Sequence, residues 1–403
     1  MQVGTRSGLQ SAADAVLRNV VEPGDGRQGV PGVVAMATDR NGNTYEGAAG
    51  VRELGKPQAM TTDTVVCLWS TTKAITGAAV MQLVEAGTIG LDDPAKKYVP
   101  ELADVKVLDG FDAAGEPRLR APKSDVTVGQ LLLHTAGFGY DIFNPELIKY
   151  GQKKKVPSVA TSTTASLRTP LLFDPGERWE YGVNIDWAGK VVEGATGKRL
   201  GEVMRERIFA PLGMSETGFE LQPGQRERKA TTHNRDTTGK LTPNPAFELP
   251  PDPEQHMGGH GLYSTVGDYT KFIRLILNDG AAPDGTRVLK PETVAAMAAN
   301  GLGNLKIKLL PGAIPSLSHD AEFFPGMPKS WGYTWMINDE DAPTGRPAGA
   351  LAWAGLANLF YWIDRKNGIG GFWATQILPF IDEISVPGYL DFETAVYRNQ
   401  NNR

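Results

Sequence analysis

Apolar and polar positions along this chain fall into three textures. Near the start, apolar residues at 9, 12, 13, 16, 17, 20 and 21 mark one face of a helix, and Glu22-Pro23-Gly24 stops it. Residues 31–38 and 44–50 read as strands, and Asn41-Gly42 between them is a hairpin signal. A helix then runs from about 70 to 84, with apolar flanks on both sides. From roughly 95 to 280 the pattern turns into helical patches joined by polar and Pro/Gly-rich loops. Its clearest pieces are 127–137, 184–196 before Gly197, 200–208, and the amphipathic stretch 266–277. The last part returns to strands: 331–337 alternates, 350–355 and 358–364 follow, Arg365-Lys366-Asn367-Gly368 turns, and 369–377 comes back. A helix over 389–398 closes the chain.

Strands at both ends and helices between them predict an α+β fold. Residues 1–94 and 281–403 would build one antiparallel sheet flanked by helices, and 95–280 would be a mostly helical insertion. The helix that begins near Ser70 would then lie at the seam, where clefts tend to form.

Composition narrows the partners. With 403 residues, 41% hydrophobic and 22% charged, the chain has length for two or three structural units and a large core. Net charge is −5 with interspersed signs, so nucleic acid is not an expected partner. Cys67 is the single cysteine; its Val-Val-Cys-Leu-Trp setting predicts a buried apolar residue rather than a nucleophile. Residues 1–8 carry no apolar signal-peptide core, and no stretch approaches the ~20 apolar residues of a membrane span. The expectation is a cytoplasmic protein that binds no membrane, with oligomeric state left open. No His-Glu-x-x-His or Cys/His cluster suggests a metal, and no cofactor is expected.

The candidate chemistry starts at Ser70-Thr71-Thr72-Lys73. Positions three apart share a helix face, so hydroxyl and amine would be neighbours. A lysine is one recognised activator of a serine nucleophile, and unpaired N–H groups at a helix start suit an oxyanion. The pair alone is a weak signal, since a Ser helix cap beside a solvated Lys would look the same. Phe138 and Tyr140, after the short helix at 127–137, are candidates to line a cleft or to pack a long loop. His134 reads as a helix-end hydrogen bonder, and His233, His256, His260 and His319 lack a matching carboxylate pattern.

Further segments stand in a telling order. These are Leu132-Leu133-His134-Thr135-Ala136-Gly137, then Pro175-Gly176 before Tyr181, then Gly259-His260-Gly261-Leu262-Tyr263-Ser264-Thr265. With Ser70-x-x-Lys73 they resemble the serine β-lactamase/penicillin-binding-protein superfamily over about residues 30–380, on its class C-like branch. Within it the chain is similar to the family VIII carboxylesterases. Class C enzymes carry Tyr-x-Asn, whereas here Val183 follows Tyr181-Gly182 and Asn184 comes one place late. No Lys-Thr-Gly occurs, and Trp353-Ala354-Gly355 resembles the family VIII Trp-x-Gly.

The resemblance implies an acyl-Ser70 intermediate and short- to medium-chain carboxylic esters as substrates. It implies Ser70, Lys73 and Tyr181 as catalytic residues and the N–H groups of Ser70 and Leu356 as the oxyanion hole. Trp353, Gly355, Phe138, Tyr140 and Val183 would contact the substrate. Tyr181 is the preferred proton acceptor, with Lys73 lowering its pKa as half of a coupled pair; Lys73 as the base is the rival assignment. A β-lactamase or D-Ala-D-Ala peptidase, and an acyltransferase using an alcohol, are the alternative activities. An indole at 353 in place of a cation favours neutral, apolar-sided esters.

Overall fold

The computed structural model describes residues 3–400. Its centre is a seven-stranded antiparallel sheet. The strands are β1 (Gly32–Asp39), β2 (Asn43–Gly50), β3 (Lys329–Trp331), β4 (Met336–Asn338), β5 (Leu351–Gly355), β6 (Leu359–Asp364) and β7 (Ile369–Ala374), in the order β2-β1-β7-β6-β5-β4-β3. The N-terminal hairpin thus joins the C-terminal strands through β1 and β7, with Ala35 opposite Trp373.

Period-2 side-chain alternation gives the sheet two helical coats. Phe360 and Trp362 of β6 face the C-terminal helix Ser385–Gln400, where they meet Tyr389 and Phe392. That helix packs on the N-terminal helix α1 (Val3–Val21). Tyr361, between them, faces the opposite way and meets Tyr269. Trp353 pairs in register with Tyr361 and so shares that second face.

Two helices matter most on the second face. The first, α2 (Thr72–Glu85), is buried on all sides from Thr72 to Leu83 and shows no amphipathic stripe because it has no solvent side. It packs against α3 (Asn184–Thr196), while the turn before it touches β5 and β6. The second, α4 (Val266–Leu277), lies on β1 and β7. Its Arg274 donates to Thr38 and Asn43, and its Tyr269 ring sits 4.4 Å from Phe372.

Three expectations need correction. The stretch 266–277 belongs by sequence position to the helical insertion, yet its apolar face covers the sheet. Residues 331–337 are not one strand: the chain reverses between β3 and β4 through Thr334 at φ 80°, and Gly332 N–H donates to Trp335 O. Both Trp331 and Trp335 are fully buried, which is what made the stretch look like an alternating strand. The strand predicted over 369–377 breaks after Ala374. Ile377–Leu378 then pairs, in parallel, with His233–Arg235. Among the described residues no helix is long and apolar enough to cross a membrane.

Candidate active site

Ser70 sits in a tight turn, Trp69–Thr71, between a short strand (Val65–Cys67) and α2. Trp69 has φ 47°, a left-handed conformation that costs energy in a residue with a Cβ. The surroundings hold it there. Leu68 N–H donates to Leu262 O at 2.8 Å, Thr71 Oγ1 to Leu68 O at 2.8 Å, and Tyr269 Oη to Thr71 O at 2.8 Å. The side chain of Ser70 does not cap the helix; Thr71 is the N-cap and makes no capping bond.

Lys73 Nζ lies 3.1 Å from Ser70 Oγ, as the helical spacing predicts. It also donates to Tyr140 Oη at 3.1 Å and to Gly259 O at 2.7 Å. The lysine is fully buried. Burial pushes its pKa down to about 7, against the opposing pull of Asp186. Tyr181 is buried as well, with its ring 4.7 Å from Lys73 Nζ. Burial pushes the Tyr181 phenol above its ordinary range, although its contacts with Ser70 and Trp353 pull the other way. The expected coupling, in which lysine lowers the tyrosine, is therefore outweighed by desolvation of both groups.

Trp353 on β5 donates Nε1–H to Tyr181 Oη at 3.0 Å. Its ring is held against Tyr181 at 4.9 Å and edge-on against Trp331 at 4.6 Å. Two residues on, Gly355 runs close under the Ser70 turn. A Cβ there would stand 2.5 Å from Leu68 O, so only glycine allows this approach. Leu356 follows at once. Among the described residues, neither the Ser70 nor the Leu356 N–H is committed to a hydrogen bond with another backbone group.

The sequence reading missed part of the cluster. Asp186, on the first turn of α3, is 1% exposed. It accepts Gly259 N–H at 2.8 Å and Tyr140 O–H at 3.3 Å, and lies 3.4 Å from His260 Nδ1. Burial would raise its pKa, but His260, Lys73 and Gly259 N–H outweigh that and leave it low. Gly259 must lack a side chain, since a Cβ would fall 2.4 Å from Asp186 Oδ2. The one available signal was spacing: Asp186 stands five places after Tyr181, on the helix that follows it.

A cavity of about 270 Å³ opens over Ser70. Ser70, Tyr140, Tyr181, Trp353, Gly355 and Leu356 line it, and Leu310, Ile314, Leu317 and Phe380 form the opposing wall. Tyr140 thus both lines the cavity and touches Lys73. Phe138 and Val183, expected at the cavity, are not among its walls. The Phe138 ring is fully buried and stacks on Trp187 at 5.8 Å, and Val183 is buried at the N-cap of α3. Asn184 is turned away too, bonded to His134 at 2.9 Å and to Phe138 O at 3.0 Å. Cys67 is buried and its thiol is pushed up to about 12, as suits an inert residue.

The Beta-lactamase family model matches residues 17–395. The chain belongs to that family. It is 32% identical over 383 residues to the monacolin J acid methylbutanoyltransferase of Aspergillus terreus, covering 91% of this chain and 92% of the relative. It is also 32% identical over 385 residues to the lovastatin esterase of Penicillium rubens, covering 92% and 94%. The unliganded simvastatin synthase (LovD) from Aspergillus terreus superposes with a TM-score of 0.82 at 31% identity, over 96% of this chain and 97% of that one. Relatives of this family member therefore include both acyltransferases and an esterase, and an enzyme of serine acyl chemistry is the common ground.

Proposed function

We propose that this chain is a serine carboxylesterase that works through an acyl-Ser70 intermediate. The observation that carries the reading is Lys73: buried, 3.1 Å from Ser70 Oγ, and with a pKa near 7. A lysine in that state is neutral in a large share of molecules at neutral pH, and can take the Ser70 proton as the hydroxyl attacks the ester carbon. The assignment of the base thereby moves from Tyr181 to Lys73. Tyr181 keeps its proton, receives the Trp353 N–H on its oxygen and stands beside Ser70, from where its O–H would protonate the departing alkoxide. The N–H groups of Ser70 and Leu356 would bind the oxyanion. Water then enters by the reverse path and releases the acid.

The absence of a Lys-Thr-Gly cation and the apolar opposing wall favour esters over β-lactams and peptides. Transfer to an alcohol is the second reading, supported by the acyltransferase relatives. Within the family, the Trp353-x-Gly355 strand supports placement beside the family VIII esterases.

The test is turnover of p-nitrophenyl butyrate by wild type and Ser70→Ala. The expected loss is on the order of 10⁴-fold or more, with mass spectrometry showing a butyryl adduct on the Ser70 peptide of the wild type. Full activity in Ser70→Ala would sink the assignment. Product ratios in the presence of added alcohols separate hydrolysis from transfer.

A further inference from the structure

The polar side chains around the cavity are few: Ser70, Tyr140, Asp141, Ser158, Tyr181 and His260. All but Asp141 and Ser158 belong to the cluster already described or pack directly on it. Asp141 follows Tyr140 in the short helical turn Asp141–Phe143. One of its carboxylate oxygens, Oδ1, accepts the N–H of Ile142 at 2.9 Å. No Lys, Arg or His among the described residues forms an ion pair with it. Burial raises its pKa, as expected of a carboxylate drawn partly out of water with no countercharge.

The rest of the site does not offset this charge. Lys73 is the nearest cation of the cluster, and Asp186 beside it balances it when protonated and exceeds it when neutral. His260 is turned to the same Asp186 and, through Nε2, to Val159 O at 3.2 Å. Trp353, which lines the cavity from β5, brings no charge to it, and its N–H is already given to Tyr181. Among the residues that line the cavity, Asp141 is the one carboxylate, and there is no Lys or Arg.

We infer that Asp141 is a specificity-determining residue that turns away acyl groups bearing a carboxylate and admits neutral or cationic ones. The inference rests on the ester-hydrolase reading of Ser70 and names the substrate class of that site. A carboxylate brought into the cavity meets a like charge across a partly dehydrated space. Such repulsion between groups several ångströms apart is worth about tenfold or more in kcat/KM. A quaternary ammonium would gain from the same field and from the aromatic walls.

Three p-nitrophenyl esters test it: butyrate, the monoanion of glutarate, and 4-trimethylammoniobutyrate. In wild type the glutarate-to-butyrate ratio of kcat/KM is expected below about 0.1, and the ammonium ester should exceed the glutarate ester by a larger factor. Asp141→Asn keeps an acceptor for Ile142 N–H while removing the charge. It should raise the glutarate-to-butyrate ratio about tenfold and lower the ammonium-to-butyrate ratio. Equal turnover of glutarate and butyrate esters by wild type overturns the inference, as does an unchanged ratio in Asp141→Asn. Loss of butyrate turnover in wild type removes the reading of Ser70 and this inference with it. Slow glutarate turnover beside brisk butyrate turnover that persists unaltered in the variant spares the first and removes the second.

Discussion

The two walls of the cavity are built in opposite ways. On the Ser70 side, each polar group has several partners: Lys73 alone contacts Ser70, Tyr140 and Gly259, and Asp186 holds the Gly259 N–H and the Tyr140 hydroxyl. These groups stand on a buried helix, the start of another, and a sheet strand. The facing wall of Leu310, Ile314, Leu317 and Phe380 comes from chain without helix or strand. It is held mainly through its backbone: Leu310 pairs with Ala321, Ala313 N–H donates to Ile142 O at 2.9 Å, Phe380 N–H to Leu317 O at 2.9 Å and His319 N–H to Phe380 O at 3.1 Å. Side-chain hydrogen bonds thus set the positions around Ser70, while the shape of the facing wall is set by apolar side chains carried on a backbone-bonded loop. Changes on the first wall should lower rate for every ester, and changes on the second should re-rank esters.

The sharpest test of this contrast is Lys73→Met. It keeps length and apolar stem but removes the proposed base, and kcat/KM should fall about 10²–10⁴-fold for all esters alike. In wild type the pH profile should rise with pH and level off above about 7, because only neutral Lys73 can accept a proton. That limb should be missing from the residual activity of the variant. Stopped-flow measurement of acylation over pH 5–10 checks both.

Asp186→Asn should act less strongly and through position. The Gly259 N–H and the Tyr140 hydroxyl keep an acceptor but lose a charge, and a loosened Lys73 costs on the order of 10–100-fold in kcat with little change in KM. The sign of the pH effect is specific. Asp186 raises the Lys73 pKa, so its removal should shift the limb to lower pH. An unmoved limb would mean that Asp186 serves folding only.

Leu317→Ala should have the smallest effect on rate and the clearest on preference. Opening the wall by three carbons should move the acyl-length optimum upward, by about 3–10-fold in the octanoate-to-butyrate ratio, with little loss on butyrate. A uniform loss across chain lengths would erase the distinction between the two walls.

What could be read from the chain follows the same division. Ser70 and Lys73 were legible because their relation is local, three residues on one helix. The α+β layout and the 266–277 helix came from periodicity, which burial on one face imposes. The α2 helix was different, since complete burial erased its stripe, and the paired Ser and Lys gave it away instead. Phe138 illustrates the limit. An aromatic near a catalytic motif has the same composition whether it lines a cleft or fills the core, and only the path of the Gly137–Tyr140 segment decides. Asp186 was missed because its partners, Gly259 and Tyr140, are distant in sequence, and a lone carboxylate on a helix carries no mark of what it will meet. The opposing wall left no periodic trace at all.

The hydrogen bond from Trp353 to Tyr181 spans 172 positions of chain, and the sheet that carries Trp353 closes only when β7 pairs with β1. The turn at Ser70 is synthesised long before the strand that braces it and the glycine that slides beneath Leu68. Long-range closure of this kind makes for slow folding, with the central helices exposed while they wait. The proposed acyl chemistry then depends on that closure, and truncation before β7 should silence it before it unfolds the helical region.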